Sequence, residues 1–325
     1  MSVELSRRGL CLGAAAAVAE ACTPSPRPAA PPAPTSARAH AEPKPPPPAA
    51  RAAIEAIEAQ VGGRVGVFAL DTGSGHQVEH RADERFAMCS TFKWALVAAV
   101  LARVDRGELS LGERVTFAES EVLEYAPLTR KSLGNGSDGP DRGTLSLEAL
   151  AEAAITISDN TAANLLLARI DGPRGMTEFF RRAGDDVTRL DRDEPTLNTN
   201  LPDDPRDTTS PRAMVGAMKR VLLGDVLSRE SRERLLGWMK ASQTGLERLR
   251  KGLPADWMAG DKTGTGNRGA ANDLCIAWPP GRAPILIAAY LSDGTAELPR
   301  LNAAHAKLAE IVVASLASPG EQKRP

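Results

Sequence analysis

Neither sign of charge prevails in this 325-residue chain: 40 Lys and Arg meet 41 Asp and Glu, for a formal net charge of −1. With no long run of one sign, partners held by bulk electrostatics, nucleic acid or an acidic membrane surface, are not favoured. Cysteine is scarce. Of four, Cys11 and Cys22 fall in the N-terminal region, which leaves Cys89 and Cys275 for the folded part. Two cysteines do not make a disulfide scaffold, and the sequence leaves open whether they pair. Histidine is equally rare: His40, His76, His80 and His305 form no tight cluster with cysteines or carboxylates. A metal centre is therefore not expected, nor any cofactor. His76 and His80 follow a Gly-rich turn and read as surface residues. No internal repeat is present. The composition, 42% hydrophobic and 25% charged, is that of a soluble globular protein.

The first 50 residues read as lying outside the fold. Ser6-Arg7-Arg8-Gly9-Leu10 opens a basic region, and an Ala-rich apolar stretch runs from Leu10 to Ala19. That stretch is shorter than the about 20 residues a permanent membrane helix needs. Residues 1–22 are read as an export signal, the paired arginines suggesting the twin-arginine route. Ala19-Glu20-Ala21-Cys22 fits lipid attachment at Cys22 or a signal-peptidase cut near Ala21. The protein is thus expected in the periplasm or lipid-anchored to the cell envelope. Residues 23–50, dominated by Pro and Ala, favour extended conformations and read as a spacer. The folded domain is placed at 51–317 and a tail at 318–325.

Within the domain, residues 51–60 carry Ile54 and Ile57 at helical spacing. Residues 66–70, followed by Asp71-Thr72-Gly73-Ser74-Gly75, predict a strand entering a hairpin turn. Apolar periodicity predicts one long helix from Ser90 to Val104. Further helices are expected over 147–156, 161–170 and 175–183. Ser210-Pro211 is a helix-start signal, serine as cap and proline in the first turn, for a helix to about 223. Ser228 is expected to cap another, ending near Met239. Strands follow at 257–263, 272–278 and 285–291, then a helix over 297–316. The fold class is α/β (α+β): an antiparallel sheet built from N- and C-terminal strands, flanked by helices, plus an all-helical subdomain. The site is expected in the crevice between the two parts.

Three short strings carry chemistry. Ser90-Thr91-Phe92-Lys93 sets a hydroxyl and an amine three residues apart, on one face of a helix. Serine is a weak nucleophile until a neighbouring base takes its proton, and a desolvated lysine can do so. Ser158-Asp159-Asn160 offers a second hydroxyl for proton transfer to a leaving nitrogen, and an amide that can bind both a substrate and Lys93. Lys262-Thr263-Gly264 ends a predicted strand with a positive charge, a hydroxyl suited to a carboxylate, and a glycine that permits close approach. Thr265 follows, and its backbone amide can join that of Ser90 as an oxyanion hole.

Together, in this order, the strings resemble the penicilloyl-serine transferase superfamily of β-lactamases and penicillin-binding proteins. A fourth segment chooses within it. Arg192-Asp193-Glu194-Pro195-Thr196-Leu197-Asn198, continuing to Arg206-Asp207, resembles the Ω-loop of class A serine β-lactamases. The resemblance covers roughly residues 51 to 317. It implies hydrolysis of penicillins and cephalosporins, hence antibiotic resistance, through an acyl-enzyme on Ser90. It further implies that Glu194 activates the hydrolytic water, Asn198 holds it, and Arg192 pairs with Asp207 to close the loop. The acylation base, Lys93 or Glu194, stays open. Tyr125 resembles the aromatic residue flanking the substrate. Ala271 stands where many relatives carry a carboxylate-binding arginine, and Arg248 falls where a subset places its replacement, with Arg250 close by in the same pattern.

Two departures stand out. Ser137 to Gly143 reads as an insertion near the cleft rim, and Gly266 replaces the second cysteine of disulfide-bearing carbapenemases, so Cys89 lacks that partner. A small-molecule β-lactam is the expected partner, and a monomer the expected state. The alternatives are a D,D-peptidase or penicillin-binding protein, or a penicilloyl-binding sensor that is acylated once. Neither has a use for Glu194 and Asn198.

Overall fold

The computed structural model describes residues 48–135 and 139–316. The export signal, the spacer up to residue 47, the tail from 318, and with them Cys11, Cys22 and His40, lie outside the described residues. The N-terminal part comprises α1 (Pro48–Val61), β1 (Arg64–Asp71), β2 (Gln77–His80) and β3 (Phe86–Ala87). Then come α2 (Lys93–Asp105), β4 (Arg114–Ala118), α3 (Pro127–Lys131), β5 (Arg142–Ser146), α4 (Leu147–Thr156), α5 (Asn160–Ala168) and α6 (Gly172–Arg182). The rest is β6 (Thr208–Thr209), α7 (Pro211–Leu223), α8 (Arg229–Lys240), β7 (Met258–Thr265), β8 (Ala271–Trp278), β9 (Ile285–Ser292) and α9 (Leu298–Leu316).

The two ends of the chain build one five-stranded antiparallel sheet, in the order β2-β1-β9-β8-β7. Arg64 of β1 faces Ser292 of β9, and Asp71 faces Ile285. Every residue of β9 is buried, because helices cover both faces of the sheet. The strand period sorts its side chains. Ile285, Ile287, Ala289 and Leu291 join Ile54 and Ile57 of α1 and Leu308 and Val312 of α9 in one cluster. Leu286, Ala288 and Tyr290 point the other way, into a larger cluster with α2, α4, α5 and α7. At the heart of that cluster, α2 is buried at ten consecutive positions, Lys93 to Ala102, so it is a core helix rather than an amphipathic surface one.

Caps explain several helix starts. The side chains of Ser146, Ser210 and Ser228 accept amides of the first turns of α4, α7 and α8, two of them at the positions the sequence indicates. The helix expected from Ser90 is corrected. Cys89–Phe92 form a tighter 3-10 turn, and the α-helix begins only at Lys93. The chain leaves β3 through Cys89 at φ 47°, a left-handed conformation that cannot be the first turn of an α-helix. Likewise α1 begins at Pro48, inside the stretch read as spacer, since proline is tolerated in a first turn. The segment read as an insertion ends in regular structure: Arg142 and Gly143 pair with Ala118 and Phe117. His76 is exposed, but the His80 side chain is largely buried, 3.2 Å from Glu58. Both Cys89 and Cys275 are buried free thiols. Among the described residues no helix is long and apolar enough to cross a membrane.

Candidate active site

Three connections converge on one cleft. The first is the turn between α4 and α5. Ser158 adopts φ 60°, and Asp159 caps α5 by accepting the Ala162 amide at 2.9 Å. The other Asp159 oxygen accepts the amides of Leu128 and Thr129, each at 3.0 Å, which ties the start of α3 to the turn. The Asn160 amide donates to the Tyr125 carbonyl at 3.0 Å. Ser158, Asn160 and Tyr125 are thereby held as a unit.

The second is the 3-10 turn bearing Ser90. From β8, Asn272 Nδ2 donates to the carbonyls of Ala87 and Met88 at 2.8 and 3.1 Å and fixes the approach to it. β7 lies against the turn only because position 264 is glycine. A Cβ there would fall 2.7 Å from the Met88 oxygen and 3.0 Å from the Ser90 nitrogen. β7 is also an edge strand of the sheet. The Thr263 carbonyl accepts from Lys262 Nζ at 2.8 Å, off the sheet. Two residues on, the backbone groups of Thr265 point the same way, into the cleft.

The third is the loop after α6. Asp207 is buried; its Oδ1 accepts the amides of Asp191 and Arg192 at 2.7 and 2.9 Å, and its Oδ2 takes Arg192 Nε at 2.6 Å. Asn164 of α5 clamps the Glu194 peptide from both sides, donating to its carbonyl at 2.8 Å and accepting its amide at 3.0 Å.

The side chains meet within hydrogen-bond reach. Ser90 Oγ donates to Glu194 Oε1 at 2.9 Å. Lys93 Nζ lies 3.0 Å from the same oxygen and donates to the Ser158 carbonyl at 2.9 Å and to Asn160 Oδ1 at 2.6 Å. Three acceptors around one amine are the setting of an ammonium. Asn198 Nδ2 donates to Glu194 Oε2 at 2.6 Å, while Asn198 Oδ1 is buried and takes no hydrogen bond from the described residues. Lys262 Nζ donates to Ser158 Oγ at 3.0 Å.

Burial pushes the Lys93 amine below the usual lysine range, opposed by the Glu194 charge. Burial would raise Glu194, but the Lys93 charge and the hydrogen bonds from Lys93, Asn198 and Ser90 outweigh it and hold the carboxylate low. Lys262 is pushed down to about 7, first by burial and then by the Lys93 charge. Cys89, just before Ser90, is driven up to about 12 by burial and stays a thiol.

The cleft encloses about 470 Å³, bordered by Ser90, Ser158, Asn160, Asn198, Thr263, Gly264 and Thr265, with Tyr125 about half exposed (52%) at its rim. Of the two candidate arginines, Arg248 is the one that lines it. Its Nε goes to Asn302 at 2.9 Å, its Nη1 to the carbonyls of Gly264 and Asn272, and its Nη2 to Thr265 Oγ1 at 2.7 Å. Arg250 turns away to Asp261, 2.5 Å distant. A Cβ at Gly266 would sit 2.6 Å from Cys89 Sγ, so the two positions do adjoin. Sequence reading missed Asn164, Thr244 and Leu298. Asn164 follows Asn160 by one helical turn, a spacing that signals a shared face. Thr244 and Leu298 line the cleft from outside any motif.

A serine, a lysine and a carboxylate joined in one buried network, beside an edge strand with outward amides, define the class of serine acyl-transfer enzymes. The profile of the beta-lactamase enzyme family matches residues 49–316. Beta-lactamase CTX-M-8 of Citrobacter amalonaticus is 43% identical over 74% of this chain and 80% of its own length. The carbapenem-hydrolyzing beta-lactamase KPC of Klebsiella oxytoca is 44% identical over 72% and 78% respectively. Among solved structures, the class A beta-lactamase reconstructed for the last common ancestor of Gram-negative bacteria superposes with a TM-score of 0.79. It is 50% identical, over 83% of this chain and all (100%) of the other. The chain belongs to the beta-lactamase enzyme family, in its class A branch of serine enzymes.

Proposed function

We propose that this protein hydrolyses the β-lactam ring of penicillins and cephalosporins through a Ser90 ester, and so confers resistance to them. The observation that carries the reading is Glu194, which accepts from Ser90 at 2.9 Å and from Asn198 at 2.6 Å in the same cleft. Ser90 Oγ attacks the ring carbonyl, and its proton passes to Glu194, to which it is already hydrogen-bonded. Lys93, held as an ammonium, balances the carboxylate. The backbone amides of Ser90 and Thr265 receive the developing oxyanion, a donor being worth about 3 kcal/mol in such a site. As the C–N bond breaks, the ring nitrogen takes the Ser158 hydroxyl proton; Lys93 replaces it and in turn recovers from Glu194 the proton that came from Ser90, so Glu194 is a carboxylate again, with Lys262 also in contact with Ser158.

The substrate carboxylate is bound by Lys262, Thr263 and Thr265, with Arg248 behind them. Four of the five Arg248 N–H groups are engaged within the protein, so it acts chiefly by polarising the Thr265 hydroxyl. Asn160 and Tyr125 flank the acyl chain. In the second half, Glu194 takes a proton from water, which donates its other hydrogen to the unpartnered Asn198 Oδ1. The hydroxide cleaves the ester, and Ser90 recovers its proton. Residues 1–22 export the protein to the periplasm, with Cys22 as the point for any lipid anchor, and the enzyme works as a monomer.

Ser90→Ala tests the reading: it abolishes nitrocefin turnover and covalent labelling by penicillin together. Activity retained by that variant moves the nucleophile elsewhere. Titration of the unaltered protein consumes many drug molecules per chain; consumption of one would make it a penicillin-binding protein or receptor.

A further inference from the structure

The loop that carries Glu194 is closed at its neck by Arg192 and Asp207, and it has a second tie in a residue that no motif includes. Asn200 is buried against the turn that joins β7 to β8. In that turn the Ala270 amide donates to the Asn267 carbonyl at 3.1 Å, across Arg268 and Gly269 at φ 53° and 68°. Two left-handed residues in succession make a tight hairpin turn. Asn200 Nδ2 plugs into it, 3.2 Å from the Asn267 carbonyl and 3.3 Å from that of Arg268. The same amide meets the buried Ser292 hydroxyl, at the end of β9, at 3.0 Å from Nδ2 and 3.1 Å from Oδ1. In return the Asn267 amide donates to the Asn198 carbonyl at 2.9 Å. Both ends of the run from Asn198 to Asn200 are thereby pinned to one turn.

Asn200 itself holds φ 46°, a left-handed conformation that asparagine tolerates. Beyond it, residues 201–204 make no hydrogen bond outside the loop among the described residues. The chain is next held at Pro205, whose carbonyl accepts the Thr208 hydroxyl at 2.6 Å. Glu194 does not depend on this tie, since Asn164 clamps its peptide from both sides. Asn198 does, because its carbonyl rests on the turn that Asn200 grips. From this asymmetry we propose that Asn200 is a positioning residue for deacylation: it holds Asn198 Oδ1 where the hydrolytic water needs an acceptor, and it takes no part in acylation. This rests on the hydrolase reading given above.

Asn200→Gly keeps the left-handed backbone accessible and removes only the amide. The decay of the benzylpenicillin ester on Ser90, followed by rapid-quench mass spectrometry, slows by about 10- to 100-fold, as a small misplacement of a reacting group produces. Once deacylation limits turnover, kcat and KM fall together, while kcat/KM, set by binding and acylation, is unchanged. A burst of one drug per chain counts intact sites; a misfolded fraction would instead shrink the burst and leave both KM and the decay rate as they were. Decay as fast as in the unaltered protein, or a matching loss in kcat/KM, overturns the role of Asn200 while leaving the hydrolase reading in place. Consumption of a single drug molecule per chain by the unaltered protein would overturn both.

Discussion

Replacing Glu194 by Gln exchanges one carboxylate oxygen for an amide nitrogen and, on this geometry, separates the halves of the reaction. The amide keeps the volume but cannot take a proton from water, and it presents no charge to Lys93, 3.0 Å away. Positioned general bases contribute about 10²–10⁴ in rate, so the deacylation barrier rises by about 3–5 kcal/mol. Acylation suffers less. Without the carboxylate, only the smaller influence of the Asp159 charge offsets the desolvation that already lowers the Lys93 amine. The lysine then becomes neutral more readily and can take the Ser90 proton, with the strained ring still driving attack. Losing one partner of a buried ion pair costs about 3–5 kcal/mol when the other stays charged, and deprotonation of Lys93 lessens that penalty. The variant is therefore expected to fold, to react once, and to stop. Mass spectrometry after brief exposure to benzylpenicillin should find one intact drug per chain, with an initial burst and a slow steady state. Rapid turnover by the variant would refute the water-activating role, and absence of any adduct would refute the separation of the two halves.

Lys262 makes activity pH-dependent: with its amine at about 7, it is charged below that pH and neutral above it. Since the charged form attracts the substrate carboxylate, kcat/KM falls as pH rises through about 7; Lys262→Met should be less active and lack that fall, and a flat profile for the unaltered protein would contradict the assignment. Asp207→Asn removes the charge facing Arg192 and turns a donor toward its guanidinium. Urea unfolding should show a loss of about 3 kcal/mol, with deacylation slowed because the loop carrying Glu194 is no longer closed. Unchanged stability would mean that the clamp is not under tension from the loop.

The sheet was legible because β9 is apolar up to Ser292 and β8 is apolar beyond Asn272 and Asp273, both bounded by turn residues, and the helix starts because Ser210-Pro211 and Ser228 announce themselves chemically. The site was legible through four strings whose residues meet in space. What escaped was short or non-local. β3 and β6 hold two residues each, too few for a period to register, and α3 has five. The start of α2 was displaced because the backbone conformation of Cys89 cannot be read from its apolar neighbours. Arg248 and Arg250 are two apart in a tight turn, and only their partners, Thr265 for one and Asp261 for the other, tell them apart.

Because β9 is the middle strand of the sheet and β1 its neighbour, the first and last strands to be synthesised around the helical region are bonded side by side along their whole lengths. Such distant pairing is intrinsically slow to form. Synthesis must pass Ser292 before the platform beneath the cleft can close. A premature stop anywhere ahead of Ile285 consequently removes the central plank rather than trimming an edge, and leaves no partly active remnant.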